Sequence, residues 1–261
     1  MSCHVGLQRL LLLSMFLLLI AACRSDEGSW AAIQKRGTLR VGMDPTFPPF
    51  ELADGGEPSG LDVDIANTIA QQLGLRAEFV LVSYDGLYDS LATGQVDLLL
   101  SAMVVSPERT RDFAYSASYF NAGEVLIITR EWPTTVELSD LADQTIAVEL
   151  GSQGHLEVID WANRVDTLVI LPLNSSADAV EAVSNGAANA AVVDAVSGRL
   201  AMSEHPMLQL SATPVSVEPY AAVVRIEDSL LLRQVNEQLA LLHDSGKLEE
   251  MIAYWLGEEA E

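Results

Sequence analysis

A two-part α/β fold is predicted for this chain by three observations. Strand-length apolar runs alternate with helical patterns from residue 39 onward. The alternation lapses near Arg130-Glu131-Trp132-Pro133 and then restarts. With 261 residues, 49% of them hydrophobic, the chain can fill one large or two modest cores. In order, 39–43 reads as a strand, 61–73 as a helix, 77–82 as a strand, 86–92 as a helix and 96–101 as a strand. The helix at 61–73 rests on Leu61, Ile65, Ile69 and Leu73, which fall on one face at the 3.6-residue period. Strands separated by helices in this way predict a mainly parallel sheet. A single helical turn is expected at 107–111, then extended chain over 113–119 and 124–128. The second unit, roughly 132–215, repeats the alternation with strands at 145–148, 168–171 and 190–193 and helices at 154–162, 177–185 and 195–202. Pro206, Pro214 and Pro219 punctuate the return to a strand at 220–224. Amphipathic helices at 229–242 and 246–256 follow, separated by Asp244-Ser245-Gly246.

Residues 1–22 read as a processing segment: Arg9, an apolar run over 10–20, then Ala21-Ala22 immediately before Cys23. The run is shorter than the about 20 residues that a membrane helix requires. Its ending resembles a bacterial lipoprotein signal, in which the cysteine is acylated and becomes the first mature residue. The expectation is therefore a lipid-anchored, extracytoplasmic protein carrying palmitate-type chains on Cys23, with 23–36 as a tether that turns into a short helix near Trp30–Lys35. Cys3 and Cys23 are the only cysteines. Loss of the first and acylation of the second leave nothing to form a disulfide.

Asp and Glu outnumber Lys and Arg 37 to 14, for a net charge of −23. So negative a surface repels phosphate backbones and excludes nucleic acid as a partner. It equally disfavours a polybasic grip on anionic lipid, which leaves the anchor as the only membrane attachment.

Three motifs then stand in order: Gly42-Met43-Asp44-Pro45-Thr46-Phe47-Pro48-Pro49-Phe50-Glu51, Gly60-Leu61-Asp62-Val63-Asp64-Ile65-Ala66, and Ser106-Pro107-Glu108-Arg109 with Phe113-Ala114-Tyr115-Ser116. They resemble the polar-amino-acid branch of bacterial extracellular solute-binding proteins, family 3, over nearly all of 37–257. That resemblance implies a two-lobed type II periplasmic binding-protein fold with two hinge strands and hinge closure on a small solute. Lobe 1 is expected over 37–130 and 217–261, and lobe 2 over 131–216. It also implies a monomeric receptor that passes its solute to ABC permease subunits and holds no cofactor or metal.

The residues themselves carry part of this reading. Arg109 follows the end of an apolar strand, where ligands of open α/β sheets gather. Its planar fork suits a carboxylate; a surface pair with Glu108 or Asp112 is the alternative. The resemblance assigns it the ligand α-carboxylate. Asp194 follows the strand at 190–193 and suits an ammonium group, a helix N-cap, or both together. The loop Gly151-Ser152-Gln153-Gly154 precedes a helix, where free N–H groups favour an anion. By resemblance Ser152, Gln153 and Gly154 complete the carboxylate cage, Phe47 and Tyr84 sandwich the ligand side chain, and Asp44 contacts a side-chain nitrogen. Glu149, just before the loop, adds negative charge. These residues favour a basic or amide side chain.

In Ser101-Ala102-Met103-Val104 the family carries a hydroxyl at the position of Val104. Here the backbone of Ala102, Met103 and Val104 remains, without a polar contact of about 1 kcal/mol. Some proteins of this fold are dehydratases of cyclic dienyl acids, so a cyclohexadienyl or arogenate dehydratase is the alternative reading. Such chemistry needs a placed acid or base. Of His4, His155, His205 and His243, only His155 lies near a predicted ligand loop, where it reads as a helix-start residue.

Overall fold

The computed structural model describes residues 24–164 and 167–257. The signal segment and Cys23 lie outside the described residues. Among those described, no helix is long and apolar enough to cross a membrane.

The first compact unit runs to Ala117 and resumes over Ala222–Leu242; the second comprises Ser118–Ala221 and the chain from His243. The first contains helix α1 (Arg24–Arg36), strands β1 (Thr38–Met43), β2 (Thr46–Phe47) and β3 (Glu51–Leu52), helix α2 (Leu61–Gln72), β4 (Arg76–Leu81), α3 (Leu87–Ala92) and β5 (Leu98–Leu99). Strands β6 (Phe113–Asn121) and β12 (Pro219–Arg225) close its five-stranded sheet, ordered β4-β1-β5-β12-β6. β1 pairs in parallel with both β4 and β5, while β12 meets β5 antiparallel. Leu39, Val41, Leu98, Leu99 and Val223 are fully buried in that sheet, and Leu61, Ile65 and Ile69 give α2 the buried face that its periodicity predicts.

The second unit contains β7 (Glu124–Thr129), β8 (Thr145–Glu149), α4 (Gln153–Ala162), β9 (Val169–Leu173), α5 (Ser176–Ser184), β10 (Ala190–Asp194), α6 (Ala195–Met202) and β11 (Leu208–Leu210). Its sheet order is β11-β7-β10-β8-β9. The β9-β8-β10 half is parallel and the β10-β7-β11 half antiparallel. Leu126, Ile128, Ile146, Val148, Val158 and Val192 form its core. Helix α7 (Ser229–Asp244) follows β12, and α8 (Lys247–Leu256) follows a turn at Gly246 with φ 73°.

Two sequence expectations meet a different structure. Residues 24–36, expected as a tether turning into a short helix near Trp30–Lys35, are helical throughout as α1: Ile33 is 1% exposed, and the Arg36 guanidinium pairs with the buried carboxylate of Asp97. One apolar anchor and one part-buried ion pair thus hold a segment whose composition is otherwise polar. The lobe division expected at 130/131 and 216/217 lies instead at 117/118 and 221/222, and the chain from His243 groups with the second unit. The reason is β7, whose five consecutive buried residues lie between β10 and β11 at the heart of the second sheet. The chain thus passes between units within the neighbouring strands β6 and β12.

Candidate ligand-binding residues in the two units

In the first unit the parallel strands deliver three segments to one sheet edge: Asp44 after β1, Tyr84 after β4 and Ser101-Ala102-Met103-Val104 after β5. The carboxyl ends of parallel strands are where open α/β sheets place ligands. Asp44 is already engaged within this cluster. Its Oδ1 accepts from the Thr46 hydroxyl at 2.7 Å, its Oδ2 from the Tyr84 N–H at 2.7 Å, and its own N–H donates to Ser101 Oγ at 3.0 Å. It therefore ties the β1, β4 and β5 ends together. Phe47 and Tyr84 remain 46% and 60% exposed, with Phe47 stacked on buried Phe50 at 5.6 Å. Two exposed aromatic faces beside an anchored carboxylate are suited to packing on a ligand rather than a core.

Beneath Ala102 lies a pair of acids that the sequence motifs display without revealing their use. Asp62 Oδ2 accepts the Ala102 N–H at 2.7 Å, where Ala102 adopts φ 45°. The Ser101 hydroxyl donates to Glu51 Oε1 at 2.7 Å. Burial, then the charge of neighbouring Asp62, pushes the Glu51 carboxyl up to about 10, so Glu51 is a neutral acid at pH 7. Gly60 brings the two carboxyls together: at φ 136° its missing Cβ would stand 2.1 Å from the Phe50 carbonyl oxygen, so only glycine allows the chain to pass. Ala102 and Met103 are buried, and Val104 is half-buried with no hydroxyl to offer.

Arg109 ends a 3-10 turn, Pro107–Arg109, and is exposed. Among the described residues it makes no ion pair, so neither Glu108 nor Asp112 claims it. Its guanidinium carbon instead lies 4.1 Å from the centre of the Tyr88 ring. That ring is fixed by a 2.9 Å hydrogen bond between the Tyr88 and Tyr115 hydroxyls and by packing on Phe113. Burial and the Tyr115 bond push the Tyr88 phenol pKa up, so it stays neutral. A cation stacked on a neutral ring keeps its in-plane donors available for a carboxylate.

In the second unit, the loop after β8 and Asp194, the last residue of β10, lie at the same sheet edge. Ser152 caps α4, its Oγ accepting the His155 N–H at 3.1 Å. The Gly151 N–H donates to His155 Nδ1, and the Ser152 N–H to the Glu149 carbonyl. These two donors are thus spoken for inside the loop. Glu149 is likewise committed, its Oε2 accepting from both the N–H and hydroxyl of Ser176 at the start of α5. Gln153 is exposed and Gly154 buried. Asp194 Oδ1 accepts the Ser197 N–H at 2.9 Å, capping α6, while its second oxygen makes no hydrogen bond among the described residues. The cap fixes the carboxylate and leaves one oxygen for another partner.

Sequence reasoning missed Glu124. It opens β7, pairs with Asp194 in the antiparallel register and is only 6% exposed. Burial, then the charge of Asp194, raises its pKa to about 7. The available signal was a glutamate heading an apolar strand, opposite a strand that ends in aspartate.

Two α/β units joined through neighbouring strands, with polar groups gathered at the carboxyl ends of parallel strands, define a type II binding-protein fold. The chain belongs to the bacterial extracellular solute-binding proteins, family 3, which it matches over residues 39–258. It is 24% identical over 237 residues to the L-cystine-binding protein TcyJ of Escherichia coli (strain K12), covering 89% of this chain and 88% of that protein. It is 27% identical over 254 residues to the arginine-binding extracellular protein ArtP of Bacillus subtilis (strain 168), covering 92% and 96%. Among solved structures it is similar to an ancestral cyclohexadienyl dehydratase, with 25% identity, a TM-score of 0.75 and coverage of 87% and 95%.

Proposed function

We propose that the chain is the amino-acid-binding component of an ABC-type importer, acting as a receptor and not as an enzyme. Arg109 is the observation that carries this reading: a guanidinium that makes no ion pair among the described residues and is stacked on the half-buried Tyr88 ring is a ready carboxylate clamp. Asp194, with one oxygen uncommitted, is assigned the ligand ammonium. Phe47 and Tyr84 cover the side chain, and the Ala102, Met103 and Val104 backbone with Ser152 and Gln153 completes the polar contacts, Gly154 shaping the loop that presents them. Asp44 faces the same ligand, with its geometry set by Thr46 and Tyr84. The favoured solute has a basic or amide side chain, a class that includes the arginine named for ArtP. The permease subunits are the partner, and the receptor works as a monomer.

The lipid anchor belongs to the same proposal. The Cys23 thiol carries a diacylglycerol and becomes the first mature residue on removal of 1–22, and Cys23→Ser should move the protein from the membrane fraction to the soluble extracytoplasmic fraction. Unchanged fractionation contradicts the anchor.

Likeness to a dehydratase supports the second reading, cyclohexadienyl or arogenate dehydration on the same fold. Against it stands His155, whose Nδ1 and N–H are both used in shaping the α4 start. Thermal-shift screening of amino acids, polyamines and dienyl acids separates the two, because a bound solute stabilises the native state. An amino acid should raise Tm. Turnover of a dienyl acid with no amino-acid response overturns the receptor reading. In calorimetry, Arg109→Ala should weaken the responding amino acid by about 3 kcal/mol, more than 100-fold in Kd.

A further inference from the structure

The second unit contains a buried acid that the binding role above does not use. Glu124 Oε2 is shut away from solvent without a hydrogen-bond partner among the described residues. It points at the first turn of α4: a Cβ added to Gly154 would stand 2.7 Å from that oxygen, and the Gly154 N–H is the donor facing the carboxyl. Across the sheet, Asp194 is its register partner, and side chains so paired lie about 5 Å apart. Other charges acting on Glu124 come from Glu157 on α4 and Glu218 ahead of β12, again carboxylates. Arg199 on α6 lies over the Phe120 ring, and His155 bonds back to Gly151.

This setting is electronegative and already supplies the Gly154 donor with an internal carboxyl. It is better matched to a cation than to the ligand carboxylate expected at the loop. We propose that Glu124 and Asp194 form a cation subsite that holds a proton in the free protein and exchanges it for the ammonium or guanidinium of a bound solute. The proton leaves the Glu124 carboxyl for solvent as the cationic nitrogen arrives, so the subsite's charge balance is preserved. Without that cation, two carboxylates side by side in a buried setting repel, and one remains protonated near neutral pH; burial and Asp194 place that titration at about 7. The inference rests on Asp194 receiving a cationic nitrogen, as proposed above, and adds Glu124 as a specificity-determining residue.

Two measurements test it. Carboxyl-carbon NMR of ligand-free, glutamate-labelled protein should show one resonance titrating near pH 7 that disappears in Glu124→Gln. Titration of that resonance at about 4–5 overturns the proposal whatever the ligand. Calorimetry with L-arginine in buffers of different ionisation enthalpy should show net proton release at pH 6–7, fading above pH 9. Kd should tighten by up to about tenfold per pH unit over the same range. Glu124→Gln should bind arginine more weakly, with no proton release and no pH slope. Arginine binding with proton uptake or no exchange overturns the subsite and leaves the receptor reading standing. Failure of every amino acid to bind overturns the receptor reading and the subsite with it.

Discussion

Both units place a pair of carboxyls at the carboxyl edge of parallel strands, Glu51 with Asp62 fully buried and Glu124 buried beside a half-buried Asp194, and the pairs are built for different ends. In the first, Glu51 and Asp62 are committed to the backbone segment above them and to each other: one carboxyl takes the Ser101 hydroxyl, the other the Ala102 N–H, and the two share a hydrogen bond. In the second, Asp194 keeps one oxygen free of hydrogen bonds among the described residues, and Glu124 Oε2, like Glu51 Oε2 in the first, is buried without one. Desolvating an acid costs several kcal/mol unless hydrogen bonds offset it. The first pair is tied to the Ser101-Ala102 segment and braces it, whereas Asp194, half-buried with one oxygen uncommitted among the described residues, is positioned to take a ligand.

The contrast is broken most forcefully in the first unit. Asp62→Ala removes the acceptor that holds Ala102 at positive φ and should destabilise the protein by about 3 kcal/mol in denaturant unfolding. Loss of under 1 kcal/mol contradicts the bracing role. In the second unit Gly154→Ala should cost about 2 kcal/mol, because the new methyl meets Glu124 Oε2 at 2.7 Å and Val192 Cγ1 at 3.0 Å. A Gly154→Ala variant as stable as the parent means that the turn opens without strain.

Proton linkage sharpens the comparison. Both Glu51 and Glu124 have folded pKa values above the unfolded 4.5, so the unfolded chain loses these protons first as pH rises. Their stabilisation is complete below about pH 4.5 and declines upward, through pH 7 for Glu124 and through pH 10 for Glu51. Each contributes a slope of up to about 1.4 kcal/mol per pH unit. Denaturant unfolding between pH 5 and 7 should show stability falling, with a shallower slope in Glu124→Gln. A rising profile contradicts both assignments. The smallest effect belongs to Glu51→Gln. It mimics the neutral acid and should change stability at pH 7 by less than about 1 kcal/mol, in contrast to Asp62→Ala.

Much of this was legible in the sequence because the fold is periodic. Helix α6 falls on the residues predicted, and β8, α4, β9, α5, β10 and β12 lie within two residues of expectation. Apolar runs bounded by glycine or proline announce their own ends. The lobe boundary was not legible, since the β7 run Glu124–Thr129 suits a strand in either sheet and only its pairing with β10 decides. Helix α1 was legible only near Trp30–Lys35, and its fixation was not, because that depends on Asp97, about sixty residues on. The candidate site divides in the same way. Arg109 and Asp194 were visible from their positions after strands. Glu51, Asp62 and Glu124 owe their character to burial and to partners distant in sequence, which composition and spacing do not encode.

The central claim is that Arg109 holds the carboxylate of an amino acid. It is tested most directly by a calorimetric cycle: the amino acid giving the largest thermal shift and its decarboxylated amine, each titrated into the parent protein and into Arg109→Ala. If the claim holds, removing either the carboxylate or the guanidinium costs about 3 kcal/mol, and removing both costs little more than one alone. Fully additive losses contradict it and place the carboxylate elsewhere.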